Sequence, residues 1–251
     1  MKRACVILIA GIVLIAAGSI LYSSAASSVD FTDPMAYVVC AGILLSVIGI
    51  SMLLDSRKKK TDARSKLRRL AMAGLFAALS YIGFQFFRID IPVGAEGRTA
   101  VHLGNAFVVL GGLFLGGSSG GLSGAIGLTL ADLTAGYVTS MPKTFLIKFV
   151  IGTLAGVLAE RVFRLPAQKT RKARVRCSAL ASGIALVSNI VLDPLLGYLY
   201  KRFLFGIPQD AAAILARVDA LATSINTAIS FIIVMLVYNA VRPALEKSHL
   251  M

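Results

Sequence analysis

Two ionisable side chains, Asp132 and Lys148, lie inside otherwise apolar runs of this 251-residue chain. Such groups cost several kcal/mol at the centre of a hydrocarbon layer, so each marks a candidate functional site. A buried acid and base can bind a polar solute, relay a proton, or pair to hold two helices together. A serine also invites attention, because Gly121-Leu122-Ser123-Gly124 matches the GxSG of intramembrane serine proteases. A serine nucleophile needs a base within hydrogen-bond reach. The two histidines are His102, at the far end of an adjacent run and about 20 Å away by helical rise, and His249 in the tail. The sequence therefore argues against a protease. The Gly-Gly-Ser-Ser-Gly-Gly run at 116–121 lacks the lysine of a phosphate-binding loop and is expected to be a tight turn.

The elements that must position Asp132 and Lys148 are membrane helices. The composition is 57% apolar and only 15% charged. Apolar runs of about 20 residues recur, the length a helix needs to cross about 30 Å of hydrocarbon. Period-two alternation is not apparent, which argues against a membrane β-barrel. The net charge of +14 lies in short clusters beside apolar runs, which fits anionic headgroups better than nucleic acid. Cys5, Cys40 and Cys177 show no metal or redox spacing.

These features predict an all-α polytopic helical bundle: a six-helix body plus two N-terminal accessory transmembrane helices. The accessory helices occupy residues 1–55, with runs at 4–23 and 36–54. The first is longer than the apolar core of a signal peptide and is expected to be retained. A basic cytoplasmic linker follows at 56–66, and the body spans 67–251. Its helices are expected at about 67–87, 102–116, 120–138, 143–163, 177–200 and 219–240. A 14-residue loop at 88–101, containing Pro92, Gly94 and Gly97, is expected to act as a lid. With the amino terminus in the cytoplasm, inside segments hold 19 Lys and Arg against 6 outside. Both termini are thereby expected to be cytoplasmic in the cell membrane.

Helical rise converts position to depth. Asp132 lies about 8 Å below Tyr137, and Lys148 about 8 Å below Lys143. The two runs are antiparallel across a short turn, so the charges are expected to face each other as a pair. Asn105, Asp193 and Asn226 fall about 5–10 Å from the same ends of their runs. Asn189 is one turn from Asp193, and Thr223 and Ser230 flank Asn226 likewise. This shared depth implies a pocket open to the outside, lined or supported by Asn105, Asp132, Lys148, Asn189, Asp193 and Asn226. The first body helix carries small residues at Ala73 and Ala77, and at Ala71, Gly74 and Ala78, a spacing that lets backbones approach closely.

His102-Leu103-Gly104-Asn105, Ala131-Asp132-Leu133 with Gly136-Tyr137, Pro142 and Lys148 resemble, in order and spacing, the substrate-binding subunits (S components) of energy-coupling factor (ECF) vitamin transporters. Ala73 and Ala77 match that family's AxxxA feature. The resemblance covers about 67–240. It implies capture of a water-soluble vitamin or precursor, such as hydroxymethyl pyrimidine, a pyridoxine-like compound or pantothenate. It adds His102 and Tyr137 to the candidate substrate-binding residues, and makes Ala73 and Ala77 candidates for docking a partner. The implied partners are a transmembrane coupling subunit and two ATPases, which would use the ATP, since this chain carries no nucleotide motif and no cofactor of its own. The expected role is not enzymatic. The alternative is a self-sufficient ion-coupled transporter, with Asp132 or Asp193 as its proton or cation site. At 220–231 the chain reads ALATSINTAISF, where the similar subgroup often carries a Pro-Asn and Gln pattern.

Overall fold

Long apolar runs that bury their backbone bonds internally dictate helices, and the computed structural model has six of them in the body. It describes residues 63–93 and 97–248. The segment 1–55, where two accessory helices are expected, and most of the basic linker lie outside the described residues. Helix α1 (Ala63–Gln85) leads into strands β1 (Arg88–Val93) and β2 (Gly97–His102). Then follow α2 (Gly104–Leu115), α3 (Gly117–Thr134), α4 (Met141–Val157), α5 (Arg171–Leu199) and α6 (Gln209–Lys247). Among these, α1, α5 and α6 are long and apolar enough to cross a membrane. Leu67, Leu70, Phe203, Leu221 and Leu236 are each more than 60% exposed, as side chains facing lipid would be.

Two expectations about connections are corrected. The segment 88–101 is not an irregular loop but mostly an antiparallel hairpin, with Arg88 opposite His102 and Val93 opposite Gly97. Its Arg-Ile-Asp-Ile-Pro-Val strand does alternate polar and apolar residues, and the glycines and proline obscured that period. The glycine-serine run at 116–121 is not a turn either. The turn is Gly116 alone, at φ +77°, and Gly117 already begins α3.

The reason for the glycines is close packing. A Cβ on Gly120 would come within 2.5 Å of the Gly111 carbonyl oxygen and of Gly112. One on Gly152 would come within 2.8 Å of the Gly121 Cα. Helices α2, α3 and α4 thus touch backbone to backbone, the small-residue packing used where lipid supplies no hydrophobic drive. The core beside this seam contains Leu110, Ile147, Ile151, Leu186, Val234 and Tyr238, all nearly inaccessible. Helix α2 is the innermost element and has only 12 residues, a rise of about 18 Å, too short to cross the hydrocarbon alone. The hairpin sits directly on its amino terminus, where Leu103 N donates to Gly83 O on α1 at 3.0 Å.

Candidate functional site

Because α2 is short, the space at its amino-terminal end is closed by the hairpin instead of by more helix. A cleft of about 860 Å³ lies there, bounded by β2, α2, α3, α4, α5 and α6. Asn105, Asp132, Lys148, Asp193, Asn226, His102 and Tyr137 all line it. Residues separated by up to 124 positions in sequence thus meet at one place. Asn189 does not reach the cleft. It lies 1% exposed behind Lys148, whose Nζ donates to its Oδ1 at a long 3.4 Å.

The expected pairing of Asp132 with Lys148 is corrected. No ion pair links them. The pair that forms is Lys143 Nζ with Asp193 Oδ1, at 2.8 Å, joining α4 to α5. Thr223 donates its hydroxyl to the other oxygen of Asp193 at 2.9 Å. A second pair, Lys201 with Asp219 at 2.7 Å, stands nearer the α5–α6 connection. Counting turns placed Asp132 and Lys148 at equal depth but carried no information on helix rotation.

The cleft therefore has two sectors. On the α5 and α6 side, charges are matched and hydrogen bonded. On the α2, α3 and α4 side they are not. Asn105, 2% exposed, has no partner for Oδ1, and Asp132, 4% exposed, has none for Oδ2. Lys148, 5% exposed, has only its long bond to Asn189. Buried polar atoms left without partners cost about 1–3 kcal/mol each, so a site that keeps several in one cavity is arranged for something that supplies them. The flanking walls are apolar, from Phe84, Leu128 and Ile147.

The hairpin is fastened on two sides. Toward α3, Tyr137 Oη donates to Asp90 at 2.8 Å, and Arg98 donates to the carbonyls of Ala135 and Gly136 at 3.1 and 2.9 Å. The Arg98 guanidinium also lies 4.4 Å from the centre of the Tyr137 ring, a cation–π distance. Burial, and then the hydrogen bond to the Asp90 carboxylate, hold the Tyr137 phenol above its ordinary pKa. Toward α6, Asn226 Oδ1 accepts from His102 N at 2.7 Å, and its Nδ2 donates to Ala100 O at 3.0 Å. Both polar atoms of Asn226 are thus engaged with backbone.

Sequence reasoning missed Phe84, Lys143 and Thr144 as cleft residues. Lys143 and Thr144 lie five and four residues before Lys148, and Thr144 shares its helix face. Ser123, by contrast, is buried and donates to Gly120 O at 2.8 Å, while Gly124 packs on Val108. The GxSG segment is therefore a packing surface. Ala73 is packed against the main core, and the Ala77 carbonyl abuts Gly127 of α3. Ala71, Gly74 and Ala78 form the exposed small face of α1.

A family model described as "ECF-type riboflavin transporter, S component" matches residues 64–243, more than two-thirds of the chain and all six body helices. Comparison with curated proteins and with solved structures gave no match. The single-residue α2–α3 junction and the hairpin-covered cleft fall within the matched range. This multi-pass membrane protein belongs to the family of S components of ECF-type transporters.

Proposed function

We propose that the cleft captures one uncharged, ring-bearing vitamin from outside the cell and holds it for an ECF import complex. The observation that carries this is the unspent sector. Asn105, Asp132 and Lys148, on three different helices, all line one cavity, and Asn105 Oδ1 and Asp132 Oδ2 have no hydrogen-bond partner among the described residues. In that sector one acid stands against one base, the other two acid–base pairs are closed, and Arg98, which also lines the cleft, is turned onto the Ala135 and Gly136 carbonyls. A net anion such as pantothenate would meet Asp132 as well as Lys148, so a neutral molecule with both donors and acceptors suits the site better. The cleft volume is within the range of about 300–1,000 Å³ usual for small-molecule sites.

The matched family is named for riboflavin, a neutral heteroaromatic with a polyol chain, and this makes riboflavin the first ligand to test. Pyridoxine and hydroxymethyl pyrimidine come next. The positive-inside count supports an outward-facing cleft with both termini cytoplasmic. The coupling subunit and ATPases that energise import are expected partners of the chain, and the chain itself performs capture without chemistry. The test is native mass spectrometry of the purified protein, followed by calorimetric titration with riboflavin, pyridoxine, hydroxymethyl pyrimidine and pantothenate. Tight binding of one neutral compound that is lost in Asn105→Ala is the expected result. Preferential binding of pantothenate would defeat the charge argument.

A further inference from the structure

Asn226 lies on α6, 124 residues from the hairpin segment it touches, and is 4% exposed. On a β-strand, the carbonyl of one residue and the amide of the second residue on point to the same edge. Ala100 O and His102 N are such a pair, and one carboxamide bridges them at 3.0 and 2.7 Å. The Asn226 side chain therefore stands where one residue of a parallel third strand would present its N–H and C=O, and covers the open edge of β2. Its neighbours along the same face of α6 fasten other parts: Asp219 holds Lys201, and Thr223 holds Asp193.

The residue whose amide Asn226 holds is also one that faces the cleft. The His102 ring lies 4.6 Å from that of Phe84, and its Nδ1 accepts from Gly104 N at 3.1 Å. An imidazole nitrogen that accepts cannot carry the proton in the neutral ring, so the proton is on Nε2. Protonating Nδ1 would set a donor against the Gly104 N–H. His102 is thus a one-way donor, and its aim depends on where β2 is held.

We propose that Asn226 is a positioning residue of the capture site: by standing in for a strand residue on the edge of β2, it fixes His102 as an Nε2–H donor toward a hydrogen-bond acceptor of the ligand. This rests on the reading of the cleft as the capture site. The ligand atom opposite His102 is then a carbonyl oxygen or an unprotonated ring nitrogen.

The chain has two histidines, so a His249→Gln background leaves His102 alone. Nitrogen-15 spectra of histidine-labelled protein in nanodiscs then report its tautomer directly, with no ligand needed. A single Nε2–H form is expected with Asn226 present, unchanged between pH 5 and 8. Asn226→Ala should give a mixed or titrating signal, with exchange of the 97–103 amides at least tenfold faster and that of α2 unchanged. Should Asn226→Ala fail to fold, Asn226→Ser, too short to bridge both groups, gives the same readout. A pure Nε2–H signal with slow exchange in either variant overturns the proposal. In the same samples, riboflavin should dissociate at least tenfold faster from the Asn226 variant, and His102→Phe should add little to that loss. Additive losses would also overturn it. A protein that binds no riboflavin at all counts against the flavin reading alone, because the tautomer signal still decides the role of Asn226.

Discussion

Lys143 Nζ lies 2.8 Å from Asp193 Oδ1, and this contact leaves Lys148, about one and a half turns along α4, with a single hydrogen bond, to Asn189 at 3.4 Å. One lysine of the helix is spent on structure, and the other is kept for the cavity. Removing one partner of a largely buried pair strands the other charge. With side chains 13% and 20% exposed, Asp193→Asn or Lys143→Met should cost about 3 kcal/mol, the low end for buried pairs. The double change should cost less than the sum of the singles. Thermal unfolding in detergent measures all three, and strictly additive losses would remove the pair from consideration.

Asp132 gives the opposite expectation. Its Oδ2 has no hydrogen-bond partner and its carboxylate no ion pair among the described residues, so neutralising it breaks no such contact. Asp132→Asn should leave the unfolding temperature unchanged or raised, while ligand affinity falls at least tenfold, or about 1.4 kcal/mol. A variant that unfolds and is rescued by Lys148→Met would restore the ion pair that the structure replaces.

The glycine seam predicts a sharp contrast between two similar substitutions. Gly120→Ala places a methyl group 2.5 Å from backbone atoms of α2, which cannot yield as a side chain would. Folded protein should be lost, as judged by size-exclusion chromatography. Gly74→Ala meets nothing within 4 Å and should be neutral or stabilising by up to about 1 kcal/mol through helix propensity. Equal outcomes would mean that α2 and α3 do not approach this closely.

Paired substitutions distinguish the two faces of α1 as candidates for docking a coupling subunit. Leucine at Gly74 and Ala78, on the exposed face, should abolish co-purification with the partner and leave ligand affinity intact. Leucine at Ala73 and Ala77 should lower folding, binding and assembly together, because Ala73 packs on the core and the Ala77 carbonyl abuts Gly127. If the second pair alone blocks assembly with full binding, the AxxxA face is the docking surface.

The hairpin fastening has a pH dependence with a definite sign. The folded state raises the Tyr137 pKa above its unfolded value, so the contribution is complete below about pH 10 and is lost as pH rises further. Hydrogen exchange of β1 and β2 should be constant from about pH 6 to 10, after correction for intrinsic rates, and accelerate above that. Tyr137→Phe, which loses the bond to Asp90, should show the faster exchange at every pH. A hairpin whose exchange ignores both alkali and Tyr137→Phe is not held by that phenol. Saturating ligand should slow exchange at 88–93 and 97–102, as the lid role requires.

Helix identity, the number of body helices and the residues worth watching were legible in the sequence, because apolar length and isolated polar side chains are local properties. Asn105, Asp132, Lys148, Asp193 and Asn226 reach one cleft, as a shared depth along parallel rods would suggest, whereas Asn189 does not, and His102 and Tyr137, which the family resemblance added, also line it. Depth is one coordinate of a helical residue, and helix rotation is the other. Rotation is set by which faces pack, here by the contact of Gly112, Gly120 and Gly152 across three helices. That packing paired Asp193 with Lys143 and left Lys148 and Asp132 unspent. It also turned Asn226 toward the backbone of β2 and away from a purely ligand-facing role. Which charges are neutralised within the protein, and which await a partner, was decided only when the helices met.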